Sequence, residues 1–186
     1  MKEEIFGREA QYARVPREGL SEVDDTVAEL IDAEVERQER KLIFIASESI
    51  CPPPVRRVMA TPLSNIYAEG YPAPRMNVLT EEEIAHFDDA FVNFKRYSDR
   101  RYYKGTDYMN VLESLAKRRC ADLFANERVG SDHIFANVQP LSGAAANNAV
   151  YGAFLENGDR ILGMSLVSGG HLTHGSPVNR SGRSYC

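Results

Sequence analysis

Residues 169–175 read "GGHLTHG", with His171 and His174 three apart in a frame of glycines. An H-x-x-H pair can ligate a metal ion, but it needs a third ligand, and no H-E-x-x-H motif accompanies it. An imidazole between glycines can instead lie flat against a planar ring, or simply brace its own loop. A second stretch, "QPLSGAA" at 139–145, places Ser142 and Gly143 before a run of small residues. Ser-Gly at a helix N-terminus offers a hydroxyl and backbone N–H groups to an anion, in the favourable field of the helix dipole. The same serine is an ordinary helix cap. No G-K-[ST] follows, so this is not a nucleotide P-loop.

Three further stretches carry polar chemistry. "SNIYAEGYP" at 64–72 alternates Tyr67, Glu69 and Tyr71 around a turn. A carboxylate between phenols can move protons and shape a polar pocket; a surface turn with aromatic packing would look the same. "RRYYKG" at 100–105 repeats the theme with Arg101, Tyr102 and Tyr103, and "IASES" at 45–49 leaves Ser47 and Glu48 after an apolar run.

Helices and strands must position these residues. Val23, Val27, Leu30 and Ile31 recur at helical spacing, which predicts a helix over 21–40 capped by Ser21. "LIFIAS" at 42–47 reads as a strand, and Pro52-Pro53-Pro54 breaks the chain before a short helix near Pro54. Thr80 and Glu83 form a capping box for a helix over 80–98, with Ile84, Phe87, Phe91 and Phe94 as its apolar stripe. That stripe needs a burial partner, such as a second subunit. A helix over 107–125 should turn Val111, Leu112, Leu115, Cys120 and Phe124 inward. "HIFANVQ" at 133–139, a helix over 142–156 and "RILGMSL" at 160–166 read as β-α-β, hence a local parallel sheet. Both the Ser142 and the His171 loops would then sit at carboxyl ends of strands and face one crevice.

Composition narrows the class. The chain has 186 residues, 22 basic and 27 acidic side chains and a net charge of −5. That balance gives no basic footprint for nucleic acid, and Lys117-Arg118-Arg119 reads as a solvated helix face. Hydrophobic residues make up 43%, as in globular proteins. Three cysteines, Cys51, Cys120 and Cys186, are too few and too far apart for a disulfide scaffold or a zinc knuckle. "MKEEIFGREAQ" has no apolar core of a signal peptide, and no run is long enough to span a membrane. The expectation is a cytoplasmic protein with no metal and no membrane partner.

"LIFIASES", "NIYAEGYP", "RRYYKGTDYMNVLESLAKRR", "ANVQPLSGAAANNAVY", "GDRILGM" and "GGHLTHGSPVNRSG" occur here in the order they have in serine hydroxymethyltransferase. The resemblance covers nearly all of residues 21–185. It implies a pyridoxal-phosphate enzyme of one-carbon metabolism, a transferase interconverting serine plus tetrahydrofolate and glycine plus 5,10-methylenetetrahydrofolate. The implied fold class is α/β: an incomplete large domain of the aspartate-aminotransferase-like, fold type I enzymes, with an N-terminal helical arm. The arm and its helix would be 1–45 and the partial large domain 46–186, with a helical insertion at 76–100. A homodimer or homotetramer is implied for the full-length protein.

The resemblance also implies roles. Ser142, Gly143 and Ala144 match the cofactor-phosphate site, and His171 the residue that stacks on the pyridine ring. Tyr67 matches a tyrosine that reaches the neighbouring subunit's cofactor, while His174 braces the loop. Glu69 matches the carboxylate that handles protons at the hydroxymethyl group and folate. Ser47, Tyr102 and Tyr103 match substrate-binding positions, and Tyr103, Glu69 and His171 the catalytic set. Leu166, Gly170 and Leu172 match positions lining the folate site.

Departures qualify the match. The Schiff-base lysine follows a His in a Thr/Ser-rich stretch in relatives, and none of Lys2, Lys41, Lys95, Lys104 and Lys117 has that setting. That lysine, the acid at the pyridine nitrogen and the arginine for the substrate carboxylate are expected beyond this chain, which reads as an N-terminal portion. The family arginine before the tyrosine pair falls to Arg101 rather than Arg75. Ala144 stands where many relatives carry a second phosphate-binding serine, a loss of about 0.5–1.5 kcal/mol. Two alternatives stay open: a non-catalytic truncated module that pairs with a full-length relative, and a folate-independent β-hydroxy amino acid aldolase of the same fold.

Overall fold

Asp24 sets the first boundary in the computed structural model, which describes residues 19–86, 88–89, 91–92 and 100–185. Its backbone is extended (φ −152°, ψ 93°) between two helices, α1 (Leu20–Val23) and α2 (Asp25–Arg40). The Asp24 carboxylate accepts the Val27 N–H at 3.0 Å, so it caps α2. The cap expected at Ser21 is therefore displaced. Ser21 lies inside α1, and a carboxylate at the break satisfies the free N–H that the hydroxyl was expected to meet. Arg37 and Gln38 both donate to the Glu34 carboxylate on the outer face of α2.

The strand expected over 42–47 is absent. Residues 46–47 turn instead, with the Glu48 N–H donating to the Ile45 carbonyl at 2.9 Å. An extended apolar run becomes a strand only by exchanging backbone bonds with a neighbour. Leu42 and Phe44 have none and stand exposed. Helix α3 (Pro53–Met59) then begins on prolines, whose fixed φ suits a first turn and whose missing N–H costs nothing there.

Two compact units divide the chain, Met1–Tyr67 and Ala68–Cys186. The second holds the main core. Ala73, Met76, Ile84 and Val111 are buried together, with Leu79, Phe91 and Leu115 packed around them. Ile84 comes from α4 (Glu81–Ala85), which begins with the expected capping box: the Glu83 N–H donates to the Thr80 hydroxyl, and the Thr80 N–H to the Glu83 carboxylate. Residues 88–89 and 91–92 are helical too, while Phe87 and Phe94, part of the helix expected over 80–98, lie outside the described residues. The described part of the expected stripe, Ile84 and Phe91, is packed within the chain. Ile84 and Phe91 pack on helix α5 (Asp107–Phe124), and the Phe91 ring meets Tyr108 edge-on at 4.9 Å.

Helix α5 buries Asn110, Val111, Glu113, Ser114 and Ala121. Phe124, expected to face inward, is exposed. Val111 turns in and Leu115 packs on the core as expected, Leu112 and Cys120 are half-buried, and the polar Asn110, Glu113 and Ser114 share the buried face. The two short strands β1 (Gly70–Tyr71) and β2 (Arg100–Arg101) pair antiparallel, Gly70 opposite Arg101. They make up the one ladder among the described residues.

The parallel β-α-β expected over 133–166 is thus corrected. Its helix forms as α6 (Gly143–Phe154). Its strands do not: 134–140 and 161–165 carry no ladder. Phe135, 93% exposed, and Leu162 project into solvent from these segments. A strand needs at least one neighbour with which to exchange backbone bonds, and no described segment supplies one to these stretches. The described residues are rich in helix and poor in sheet. Their last element is the single turn α7 (Ser181–Ser184).

Candidate functional site

Helix α6 brings the two Gly-rich stretches together. Ser142 caps it, accepting the Ala145 N–H at 3.2 Å. Helix geometry leaves the first N–H groups, those of Gly143 and Ala144, without an acceptor inside the helix. Space beside Gly143 is open, with nothing within 4 Å of where a Cβ would sit. This end of a 12-residue helix can hold an anion through two N–H groups and a hydroxyl.

One turn along, the Asn147 amide donates to the Thr173 hydroxyl at 2.7 Å. Thr173 is buried, and the same hydroxyl meets His171 Nδ1 at 2.7 Å. The Thr173 N–H also donates to that nitrogen, at 3.2 Å. One further turn along, the Tyr151 hydroxyl meets His174 Nδ1 at 2.5 Å. Positions 143, 147 and 151 share one face of α6. The exposed His171 is therefore linked through Thr173 to Asn147, a residue one helical turn after Gly143. The two imidazole rings lie 5.8 Å apart at 60°. Each Nδ1 already has a hydrogen-bond partner within this cluster.

The carboxylate stretch is held by a second cluster, around Arg101. Arg101 is 5% exposed, and its guanidinium reaches four acceptors. It donates to Asn110 Oδ1 at 2.8 Å, to the Gly70 carbonyl at 2.8 Å, to the Ala68 carbonyl and to Glu113 Oε2 at 2.6 Å. Glu69 lies between the two carbonyls it grips. The Tyr102 N–H donates to the Glu69 carbonyl at 3.1 Å, so the tyrosine pair starts beside the acid. Arg75, by contrast, is exposed, while Arg101 is buried.

The other expected site residues divide by unit. Glu69, Tyr102, Tyr103, Ser142, Gly143, Ala144, Leu166, Gly170, His171 and Leu172 lie in the second unit; Ser47 and Tyr67 lie in the first. The Glu69, Tyr102, Tyr103 and Leu166 side chains are exposed, Leu166 on a 3-10 turn at Leu166–Ser168. Gly170 donates its N–H to the Ser165 carbonyl at 2.9 Å. Asn147, Thr173, Asn110 and Glu113 were not singled out from the sequence. The one signal that could have found the first is its spacing, four residues after Gly143 and four before Tyr151.

Comparison with known proteins decides the family. The family model described as serine hydroxymethyltransferase matches residues 20–87 and 92–185.

This chain belongs to the serine hydroxymethyltransferase family.

Serine hydroxymethyltransferase of Acinetobacter baylyi is 43% identical over 166 residues, 89% of this chain and 32% of the relative. The enzyme of Campylobacter fetus is 42% identical over the same shares, and that of Kocuria rhizophila 42% identical over 92% of this chain and 32% of its own length. The chain thus spans about a third of the length of these serine hydroxymethyltransferases. The family match breaks between 87 and 92, inside the stretch 76–100. Among the described residues no group of three or more metal-ligating side chains gathers, and no helix is long and apolar enough to cross a membrane.

Proposed function

We propose that this chain supplies the N-terminal part of a pyridoxal-phosphate-dependent serine hydroxymethyltransferase, with the Schiff-base lysine contributed by sequence outside it. The proposed architecture is an arm at 1–45 and part of a fold type I large domain at 46–186, in a homodimer or homotetramer. The observation that carries the reading is the Asn147–Thr173–His171 bridge, which ties the loop of an exposed imidazole to the helix whose N-terminal end suits a phosphate.

The donor set fits the cofactor's phosphate. The Ser142 hydroxyl uses an oxygen lone pair on Ala145, which leaves its proton for a ligand, and Gly143 leaves room beside it. When bound, the cofactor acts as an electron sink for bonds at the amino acid's Cα. The chain's own residues then orient and exchange protons. Ser142, Gly143 and Ala144 hold the phosphate, the third through backbone alone. His171 lies against the ring, oriented by Thr173. Glu69 takes or returns the proton of the serine hydroxyl as the one-carbon unit leaves or joins. Ser47, Tyr102 and Tyr103 bind the amino acid, Tyr67 reaches the cofactor of a neighbouring subunit, and Leu166, Gly170 and Leu172 border the folate.

The test is a titration of the chain with pyridoxal phosphate, followed by absorbance and by mass after borohydride. Reversible binding is expected, weakened several-fold by Ser142→Ala, in line with about one hydrogen bond. An adduct fixed by borohydride on one lysine of this chain would overturn the placement of the lysine elsewhere. Binding indifferent to Ser142→Ala would overturn the phosphate site.

A further inference from the structure

Glu113 is a buried carboxylate that the reaction above does not use. It lies on α5, is 8% exposed, and spends its two oxygens on two different segments. Oε2 takes Arg101 Nη2 at 2.6 Å, and Arg101 grips the carbonyls on either side of Glu69. Oε1 takes Gln139 Nε2 at 2.9 Å, and Gln139 stands three residues before Ser142. The same Gln139 amide also donates to the Gly70 carbonyl at 2.8 Å. Gly70 fixes the other side of this junction. Its φ is +92°, and a Cβ there would collide with the Arg100 carbonyl.

We infer that Glu113 is a positioning residue that holds the acid-bearing turn at 68–71 and the lead-in to the anion site at 139–143 in one fixed relation. A carboxylate suits this task because both its oxygens accept, and its charge matches the one guanidinium in the cluster. Glutamine cannot replace it. One end of a side-chain amide at this position would accept from Arg101 or from Gln139, and the other end would set a donor against a donor. The inference rests on reading Ser142 as a phosphate site.

Two measurements on the full chain test it: amide hydrogen exchange, and the affinity for inorganic phosphate. In Glu113→Gln, exchange at 68–71 and at 139–143 should rise together, roughly tenfold or more for a lost bond to a charged group. Exchange in α6 at 147–151 should stay within a few-fold. Phosphate binding should weaken several-fold. The sign matters, because removing a negative charge would by electrostatics alone tighten an anion. Tighter binding, or a rise in only one segment, overturns the inference. If Glu113→Gln loses protection throughout, Gln139→Leu at an exposed position carries the test, and both segments must again respond. A wild-type chain that does not bind phosphate sinks the Ser142 reading, and the exchange data alone then decide the positioning role.

Discussion

Arg101 concentrates more of the local order than any residue the motifs pointed to. A planar fork with five N–H donors can reach carbonyls, an amide and a carboxylate at once, which an ammonium cannot. Its hold on the turn depends on Gly70 keeping a positive φ. Gly70→Ala should therefore cost about 1–3 kcal/mol in backbone strain, before any displacement of the Arg100 carbonyl. Amide protection at Tyr102 should fall with it, and wild-type protection there would refute the clamp. The sequence made Glu69, Ser142 and His171 visible because hydroxyl, carboxylate and imidazole stand out in Gly-rich turns. It hid Asn147, Thr173 and Glu113, which act only through contacts with residues far along the chain.

Helix ends were the elements most open to reading. Side chain and backbone meet there within three or four residues, as at Thr80–Glu83 and Ser142–Ala145. Strands were misread for the opposite reason, since a strand exists only with its neighbour, and Phe135 and Leu162 have none among the described segments. Helix α2 offers a test of local electrostatics. Arg37 and then Gln38 donate to Glu34 and hold its carboxyl down to about 2. A lowered value means a contribution fully present above the ordinary glutamate value, roughly 4.3, and lost as pH falls through about 2. Titrating the Glu34 carboxyl by NMR should give a midpoint near 2 at low salt. Because the group is exposed, added salt should raise that midpoint. A midpoint at the ordinary value would show that the fork with Arg37 does not persist in solution.

For the whole molecule, the exposed apolar side chains dominate behaviour. Phe135, Leu141, Leu162 and Val167 stand out from extended or turning segments, far more than isolated surface leucines would require. The chain should bind an apolar fluorescent dye and self-associate with rising concentration. Substituting Phe135 and Leu162 by serine should reduce both, as read by dye fluorescence and light scattering; unchanged association would mean other surfaces drive it. The composition indicated a globular chain, and the motifs indicated its family. Neither could show how little of the sheet these residues build among themselves. The clamp around Arg101, by contrast, is closed within residues 68–139, its longest span being the 69 positions from Gly70 to Gln139. A polypeptide is made from its N-terminus, and early segments can order before later ones exist. The turn bearing Glu69 can therefore be set while synthesis is still under way, as soon as Gln139 has left the ribosome.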